Sequence, residues 1–256
     1  MRADKYFAEK FGSRTKASEM IGKGYVLRNG KPLKPSDNVS ETDSFEFLRA
    51  EQSFVSNGGY KLARALTVFG CDVSEKVWVD IGASNGGFTD CLLQNGARYV
   101  YCVDVGESQL DQTISSDHRV CVMDRTNARY LTKDQFPIPP FGVVSDVSFI
   151  SLKLILPAVA ELLEAGGLAL VLIKPQFEVG KGKLGKSGIV SKGEHPSVLR
   201  GIYRTAVQLN LSPVGVTNAP IRAKKNVEYV ALLEKGGRAM NEEEFVLRAT
   251  SFLENE

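Results

Sequence analysis

From residue 58 onward, short apolar runs of strand length alternate with stretches whose apolar residues recur every three or four positions. Runs at 77–80, 99–103, 120–123, 143–146, 168–173, 211–217 and 227–233 are expected as strands, and periodic stretches at 61–69, 88–95, 154–163 and 198–209 as helices. Near-continuous apolar strands between amphipathic helices suit a mostly parallel sheet covered on both faces. The expected fold class is therefore α/β, a doubly wound, Rossmann-like sheet.

Residues 1–48 have a different texture. Tyr6, Phe7 and Phe11 suit one short helix, and 15–20 a second with Ser13 or Thr15 as N-cap. GYVLRNGKPL and the alternating stretch 39–48 then read as two short strands joined through Asn29-Gly30 and Pro35, which are turn formers. This is a small α+β unit. The polar stretch 49–57 reads as a linker, 58–236 as the main domain, and 237–256 as a helical tail.

Composition changes this picture in two places. With 43% hydrophobic and 24% charged residues the chain should fold as an ordinary globule, and its net charge of +2 says little. The distribution says more: residues 1–34 carry nine Lys/Arg against three Asp/Glu. Cys71, Cys91, Cys102 and Cys121 form no CxxC pair, and with only His118 and His195 to add, no metal site is expected. No basic and apolar leader opens the chain, and no apolar run approaches the ~20 residues of a membrane helix. A cytoplasmic protein without a membrane partner is the expectation.

The stretch VWVDIGASNGGFTD carries the most specific local signal. It is not a P-loop, because no GK[ST] follows Gly82, and not the dinucleotide fingerprint, because position 84 is serine. A strand running into Gly82-Ala83-Ser84 and then Gly86-Gly87-Phe88-Thr89 instead suits a small zwitterion. Asp80 would meet its amine, and N–H groups at the helix start its carboxylate. Asp104-Val105 ends the next strand, 24 residues after Asp80, where a carboxylate can accept both hydroxyls of a ribose. Asp124 closes a third strand and could reach an adenine amino group. Methionine, ribose and adenine in that order describe S-adenosylmethionine.

The methyl acceptor follows by elimination. The fourth strand ends in Asp146-Val147-Ser148-Phe149, without the Pro-Pro-aromatic signature of enzymes that methylate exocyclic amines. No cysteine follows a proline, as the nucleophile for carbon five of a pyrimidine would. A ribose hydroxyl remains, and it needs a base to take its proton during attack. Lys174, after the strand 168–173 and before Pro175, is the candidate, provided burial or a second cation such as Lys61 lowers its basicity; Asp146 and Glu228 would oppose that fall.

The strings SNGGYKLARAL, DIGASNGGFTD, VDVG, DRTNARYL, SDVSFISL, IKPQFEVGKG, GKSGIV and NVEY resemble, in order and spacing, the TlyA-type ribosomal RNA methyltransferases, a family also known under the name haemolysin. RADKYFAEK, SRTKASEMI and GYVLRNGKPL are similar to an S4 RNA-binding domain. The resemblance implies an FtsJ-like fold and a catalytic tetrad at Lys61, Asp146, Lys174 and Glu228. It also implies S-adenosylmethionine as cofactor, and ribosomal RNA or a ribosomal subunit, not DNA, as partner, with methylation at cytidine riboses. Asn57 departs from the pattern, standing where many relatives show arginine. In the S4-like unit, Arg2, Lys5, Arg14, Lys16, Lys23 and Arg28 are the expected RNA contacts. The basic segment 174–192 reads as a loop over the acceptor pocket. The alternatives are an RNA-binding or membrane-lytic protein in which methyl transfer is not the main activity.

Overall fold

The computed structural model describes residues 1–22, 24–40, 42–47, 54–180, 184, 188–220 and 225–251. They divide into two units, one of Met1–Ser53 with Pro220–Lys225, the other of Phe54–Ala219 with Asn226–Glu256.

In the first unit, α1 (Ala3–Tyr6) and α2 (Arg14–Gly22) accompany a three-stranded antiparallel sheet of β1 (Val26–Arg28), β2 (Lys31–Pro32) and β3 (Phe45–Phe47), in the order β2-β1-β3. The run read as one strand is thus a hairpin. Asn29 and Gly30 both adopt positive φ, 53° and 74°, the geometry that a two-residue turn between twisted strands demands. Ala3, Ala17, Ile21, Val26, Leu27, Leu33 and Val39 are buried here together with Phe7 and Tyr25. Phe7 packs edge-on against Phe45 and Phe47 at 4.9 and 5.4 Å.

The second unit contains α3 (Asn57–Phe69), β4 (Val77–Ile81), α4 (Gly87–Gln94), β5 (Tyr99–Val103), α5 (Gln112–Ser115), β6 (Val120–Met123), β7 (Gly142–Ser145), α6 (Leu156–Leu162), β8 (Leu168–Ile173), α7 (Pro175–Glu178), α8 (His195–Gln208), β9 (Leu211–Asn218), β10 (Tyr229–Lys235) and α9 (Glu242–Thr250). Its seven strands take the order β6-β5-β4-β7-β8-β10-β9. The first five are parallel, and β10 runs antiparallel between β8 and β9. This is the mixed α/β fold that the strand and helix periods imply.

Side chains alternate across the sheet. Val79, Ile81, Val143, Val171, Ile173 and Ala231 join one continuous core with Leu156, Leu199 and Phe245 of α6, α8 and α9. The C-terminal helix therefore belongs to this core, with Phe245 and Ala249 wholly buried, and is not a separate tail.

The linker reading of 49–57 also changes. Residues 48–53 lie outside the described residues, but Phe54 is buried, Ser56 caps α3 by accepting from the Gly58 N–H, and Asn57 is its first residue. A helix starting on Asn-Gly-Gly defies propensity, and packing explains it. A Cβ at Gly59 would fall 2.4 Å from Phe54 and 2.8 Å from the Gly87 carbonyl, and one at Gly87 would fall 2.0 Å from Ser56 Oγ. The N-termini of α3 and α4 touch backbone to backbone, which sets Lys61 one turn into α3 beside the glycine loop.

Candidate active site

After β4 the chain moves outward to β5 and β6, then returns to β7 on the other side of β4. At such a switch point the loops leaving two neighbouring strands diverge and open a crevice at their carboxyl ends. Gly82, with φ 82°, lies where that crevice begins. A Cβ there would stand 3.2 Å from the Val147 side chain and 3.3 Å from the Asp146 carbonyl, so the two loops meet at this point.

Two cavities open from it. One of about 390 Å³, within the usual range for small-molecule sites, is lined by Ile81, Gly82, Ser84, Asp104, Val105, Thr126, Asn127, Asp146, Ser148 and Phe149 among others. The other, of about 160 Å³, is lined by Ser56, Gly58, Gly82, Ala83, Ser84, Gly87, Phe88, Asp146, Ser148 and Lys174. Gly82, Ser84, Asp146 and Ser148 belong to both and form the wall between them.

The residues expected to hold a cofactor separate into three groups. Gly82, Ser84, Asp104, Val105 and Asp146 line the larger cavity. Asp104 follows β5, and its two carboxylate oxygens accept from the Ser84 and Gly106 N–H groups, each at 2.8 Å. Since an ionised carboxylate has about four acceptor positions, two remain for a ligand. Ala83, Gly87 and Phe88 line the smaller cavity instead.

Asp80, Gly86, Thr89 and Asp124 line neither. Asp124 accepts from the Ser108 N–H at 2.8 Å and knits a neighbouring loop. Gly86, the residue before α4, has its open side packed by Leu110 and Ile114.

Asp80 corrects an expectation. Strand alternation turns its side chain away from the mouth and under α4, where it is wholly buried and Oδ2 accepts from Thr89 N–H at 3.0 Å and from Thr89 Oγ1 at 2.7 Å. A carboxylate below a helix N-terminus is favourably placed. Burial nevertheless pushes it up to about 7, helped by Asp146 and Asp104 and opposed by Thr89. Its Oδ1 has no hydrogen-bond partner. The residue braces the loop from beneath; it does not reach into the cavity.

The four candidate catalytic residues arrive from four segments and form one line. Glu228 Oε2 lies 2.7 Å from Lys61 Nζ, Lys61 Nζ 3.3 Å from Asp146 Oδ2, and Asp146 Oδ1 2.6 Å from Lys174 Nζ. This last contact is an ion pair off the line of a hydrogen bond. None of the four side chains is more than 18% exposed, so each charge depends on its neighbour. Lys174 Nζ also donates to Ser148 Oγ at 2.7 Å, and Gln176 Nε2 reaches Glu228 at 3.4 Å. Ser148 and Gln176 belong to the site but carry no local sign of it in sequence.

Backbone strain gathers at the same place. Ser84, Ser108, Arg125 and Phe149 all have positive φ between 47° and 64°, and all sit on loops that line or border the larger cavity. Non-glycine residues hold such angles only where their surroundings over-determine them. Phe149 is 91% exposed, with its ring 5.3 Å from that of Phe177. The segment 174–192 read as a loop begins instead with the helical turn α7; 181–183 and 185–187 lie outside the described residues. Val190 at its far end is tied by its N–H to Asn226 Oδ1 at 2.8 Å.

In the first unit, the six expected RNA contacts divide. Arg2 and Arg14 are exposed, but both guanidinium groups hydrogen-bond the buried carboxylate of Asp4, which they draw down to about 2. Arg28 donates to the Asn38 carbonyl at 2.8 Å and faces Asp43 at 3.8 Å. Lys5 is exposed. Lys23 and the side chain of Lys16 lie outside the described residues.

Comparison with known proteins gives a consistent result. The family model of FtsJ-like methyltransferases matches residues 54–235. The 16S/23S rRNA (cytidine-2'-O)-methyltransferase TlyA of Mycobacterium tuberculosis (strain ATCC 25618 / H37Rv) is 41% identical over 225 residues, 85% of this chain and 82% of that protein. Hemolysin A of Brachyspira hyodysenteriae is 38% identical over 237 residues, 90% of this chain and 98% of that protein. The solved structure of a hemolysin candidate from Streptococcus thermophilus covers 100% of this chain and 98% of its own, at 38% identity and a TM-score of 0.73.

Proposed function

The chain belongs to the FtsJ-like methyltransferases, and we propose that it methylates the 2′-hydroxyl of cytidine riboses in ribosomal RNA, using S-adenosylmethionine. The observation that carries this reading is the line Glu228–Lys61–Asp146–Lys174, which ends at the wall between a ligand-sized cavity and a second, smaller pocket.

S-adenosylmethionine would supply the methyl group as an electrophile. The larger cavity suits it, because Asp104 retains acceptor positions for ribose hydroxyls and Gly82, at φ 82° and close to Val147 and Asp146, disfavours a side chain there. Lys174, on the wall of the smaller pocket, is then placed to take the proton of an incoming 2′-hydroxyl. A lysine does this only from its neutral form, so the proton must be able to leave before each turnover. Asp146 and Ser148 fix the Lys174 amine in place, while Lys61 and Glu228 hold Asp146 from its other side. All four act by orientation, which is worth much when attack must be in line.

The substrate reading rests on the relative named for cytidine 2′-O-methylation at 41% identity. The basic surface of the first unit supports an RNA partner through phosphate contacts. Binding to an intact ribosomal subunit and a cytoplasmic location are parts of the same proposal. Among the described residues no helix is long and apolar enough to cross a membrane, and the family match favours methyl transfer over the lytic alternative.

The experiment is transfer of a tritiated methyl group to ribosomal RNA from cells lacking the enzyme, followed by mapping of the modified nucleotide. Label on a cytidine ribose is expected with the wild-type protein and none with Lys174→Ala. Label on a base, or equal label with Lys174→Ala, would refute the assignment.

A further inference from the structure

The site leaves most of one motif unexplained. Lys174 is the first residue of KPQFE, and the turn it opens, α7, ends four residues later at Glu178. Glu178 lines neither cavity. Its carboxylate nevertheless makes two short contacts to another segment, Oε2 accepting from Ser151 Oγ and Oε1 from the Leu152 N–H, both at 2.7 Å.

Ser151 and Leu152 close the loop that Asp146 opens. Lys174 already holds the near end of that loop through Asp146 and Ser148. The single turn of α7 therefore grips one loop at two points, with Lys174 at one end and Glu178 at the other. A loop held once can pivot; held twice, its carboxylate has a fixed bearing on the amine. Between the two grips lies Phe149, whose φ of 64° requires firm surroundings. Phe177, between Lys174 and Glu178, meets that ring at 5.3 Å. The carboxylate is half-buried: burial raises its pKa, while the bonds from Ser151 and Leu152 and the charge of Lys153 lower it.

We infer that Glu178 is a positioning residue for methyl transfer, setting the Asp146–Lys174 pair by clamping the far end of the loop that carries Asp146. The inference rests on the tetrad assigned above, and its test separates the two.

Full-length Glu178→Ala, Glu178→Gln and Ser151→Ala are compared with wild type for methyl transfer, S-adenosylmethionine affinity, melting temperature and the acetylation of Lys174 under limiting acetic anhydride. An amide at 178 can still accept from Leu152 and donate to Ser151, so it should keep the clamp. Displacement of a reacting group by about 1 Å can cost 10²-fold. Glu178→Ala should accordingly lower kcat by about 10–100-fold, with cofactor affinity within about threefold of wild type, and raise Lys174 labelling several-fold. Glu178→Gln should recover most of both, and Ser151→Ala should lie between. Wild-type kcat and labelling in both Glu178→Ala and Ser151→Ala would overturn the inference, as would losses in kcat matched by losses in cofactor affinity and melting temperature. If Glu178→Ala does not fold, Ser151→Ala and Glu178→Gln decide it on the same criteria. If wild type itself transfers no methyl group to RNA, the functional reading fails alone, because the labelling of Lys174 still reports whether Glu178 fixes it.

Discussion

The two cavities share a wall but are built by different means. The larger one is lined largely by apolar side chains such as Ile81, Val103, Val105 and Ile155, with the carboxylate of Asp104 held by two N–H groups at its edge and loops of positive φ around it. The smaller one is bounded by Asp146 and Lys174, an ion pair, beside Gly58, Gly82 and Gly87, with Lys61 and Glu228 behind that pair and outside the lining. On the proposed function the larger cavity holds a ligand that is the same in every turnover. A line of charged side chains can hold a proton acceptor in one attitude, and it fails if any one member is lost.

That difference sets an order of expected effects. The largest should come from the charged line: Lys174→Ala is expected to lower kcat by about 10²–10⁴-fold, the usual range for a general base, while leaving S-adenosylmethionine affinity nearly unchanged. Steady-state kinetics with a parallel binding titration will show it. The Lys61→Ala, Lys174→Ala double variant should fall less than the product of the singles, since both act through Asp146. Multiplicative losses would mean that the two lysines work apart.

The buried carboxylate beneath the glycine loop is expected to show itself through pH. Asp80 stands at about 7 in the folded protein, against an ordinary value near 3.9. Between those values the native state holds a proton that the unfolded chain has released, so this group's contribution to stability falls as pH rises. The total is up to about 4 kcal/mol, essentially complete just above pH 7. Denaturant titrations from pH 4 to pH 8 should show Asp80→Asn flattening that dependence. An unchanged slope would mean that Asp80 is ionised throughout. Binding of a cationic cofactor above it should also release part of a proton, measurable by calorimetry in buffers of different ionisation enthalpy.

Asp104→Ala is expected to weaken S-adenosylmethionine binding by roughly 1.5–3 kcal/mol through lost charge-assisted hydrogen bonds, with little further loss in kcat at saturation. An equal loss from Lys174→Ala would erase the distinction between the cavities. The smallest effect belongs to the first unit. Lys5→Gln should leave methyl transfer to a saturating substrate intact but reduce the salt dependence of RNA binding by a slope of about one. Parallel salt series for the two proteins would return Lys5 to an ordinary solvated surface.

Much of this molecule is decided locally. A buried strand needs only an unbroken apolar run, which is why 99–103 and 168–173 stand as expected. A two-residue hairpin needs only Asn-Gly, and a widened loop after a strand needs only its glycines. These are contests among residues a few positions apart, so the sequence contains both sides of each. Even there, neighbours in space intervened: α3 begins four residues before its apolar period because Gly59 and Gly87 allow two helix ends to touch.

The site is another matter. Nothing local in Lys61, Asp146, Lys174 or Glu228 marks them as partners, since Lys61 and Asp146 are 85 residues apart and meet because the N-terminus of α3 abuts that of α4, which follows β4, while β7 lies beside β4. The demands of a ribose hydroxyl suggest Lys174 with Lys61, Asp146 and Glu228 around it, and resemblance to a family makes the four a tetrad. The order of residues alone determines which of them can carry charge. Tertiary structure decided which of those charges were spent: Asp80 turned under a helix, Arg2 and Arg14 were taken up by Asp4, and Glu178 was drawn to Ser151 and Leu152. The reason is physical. A half-buried charge must find a partner, and the partner it finds is the nearest in space, which the order of residues along the chain does not disclose.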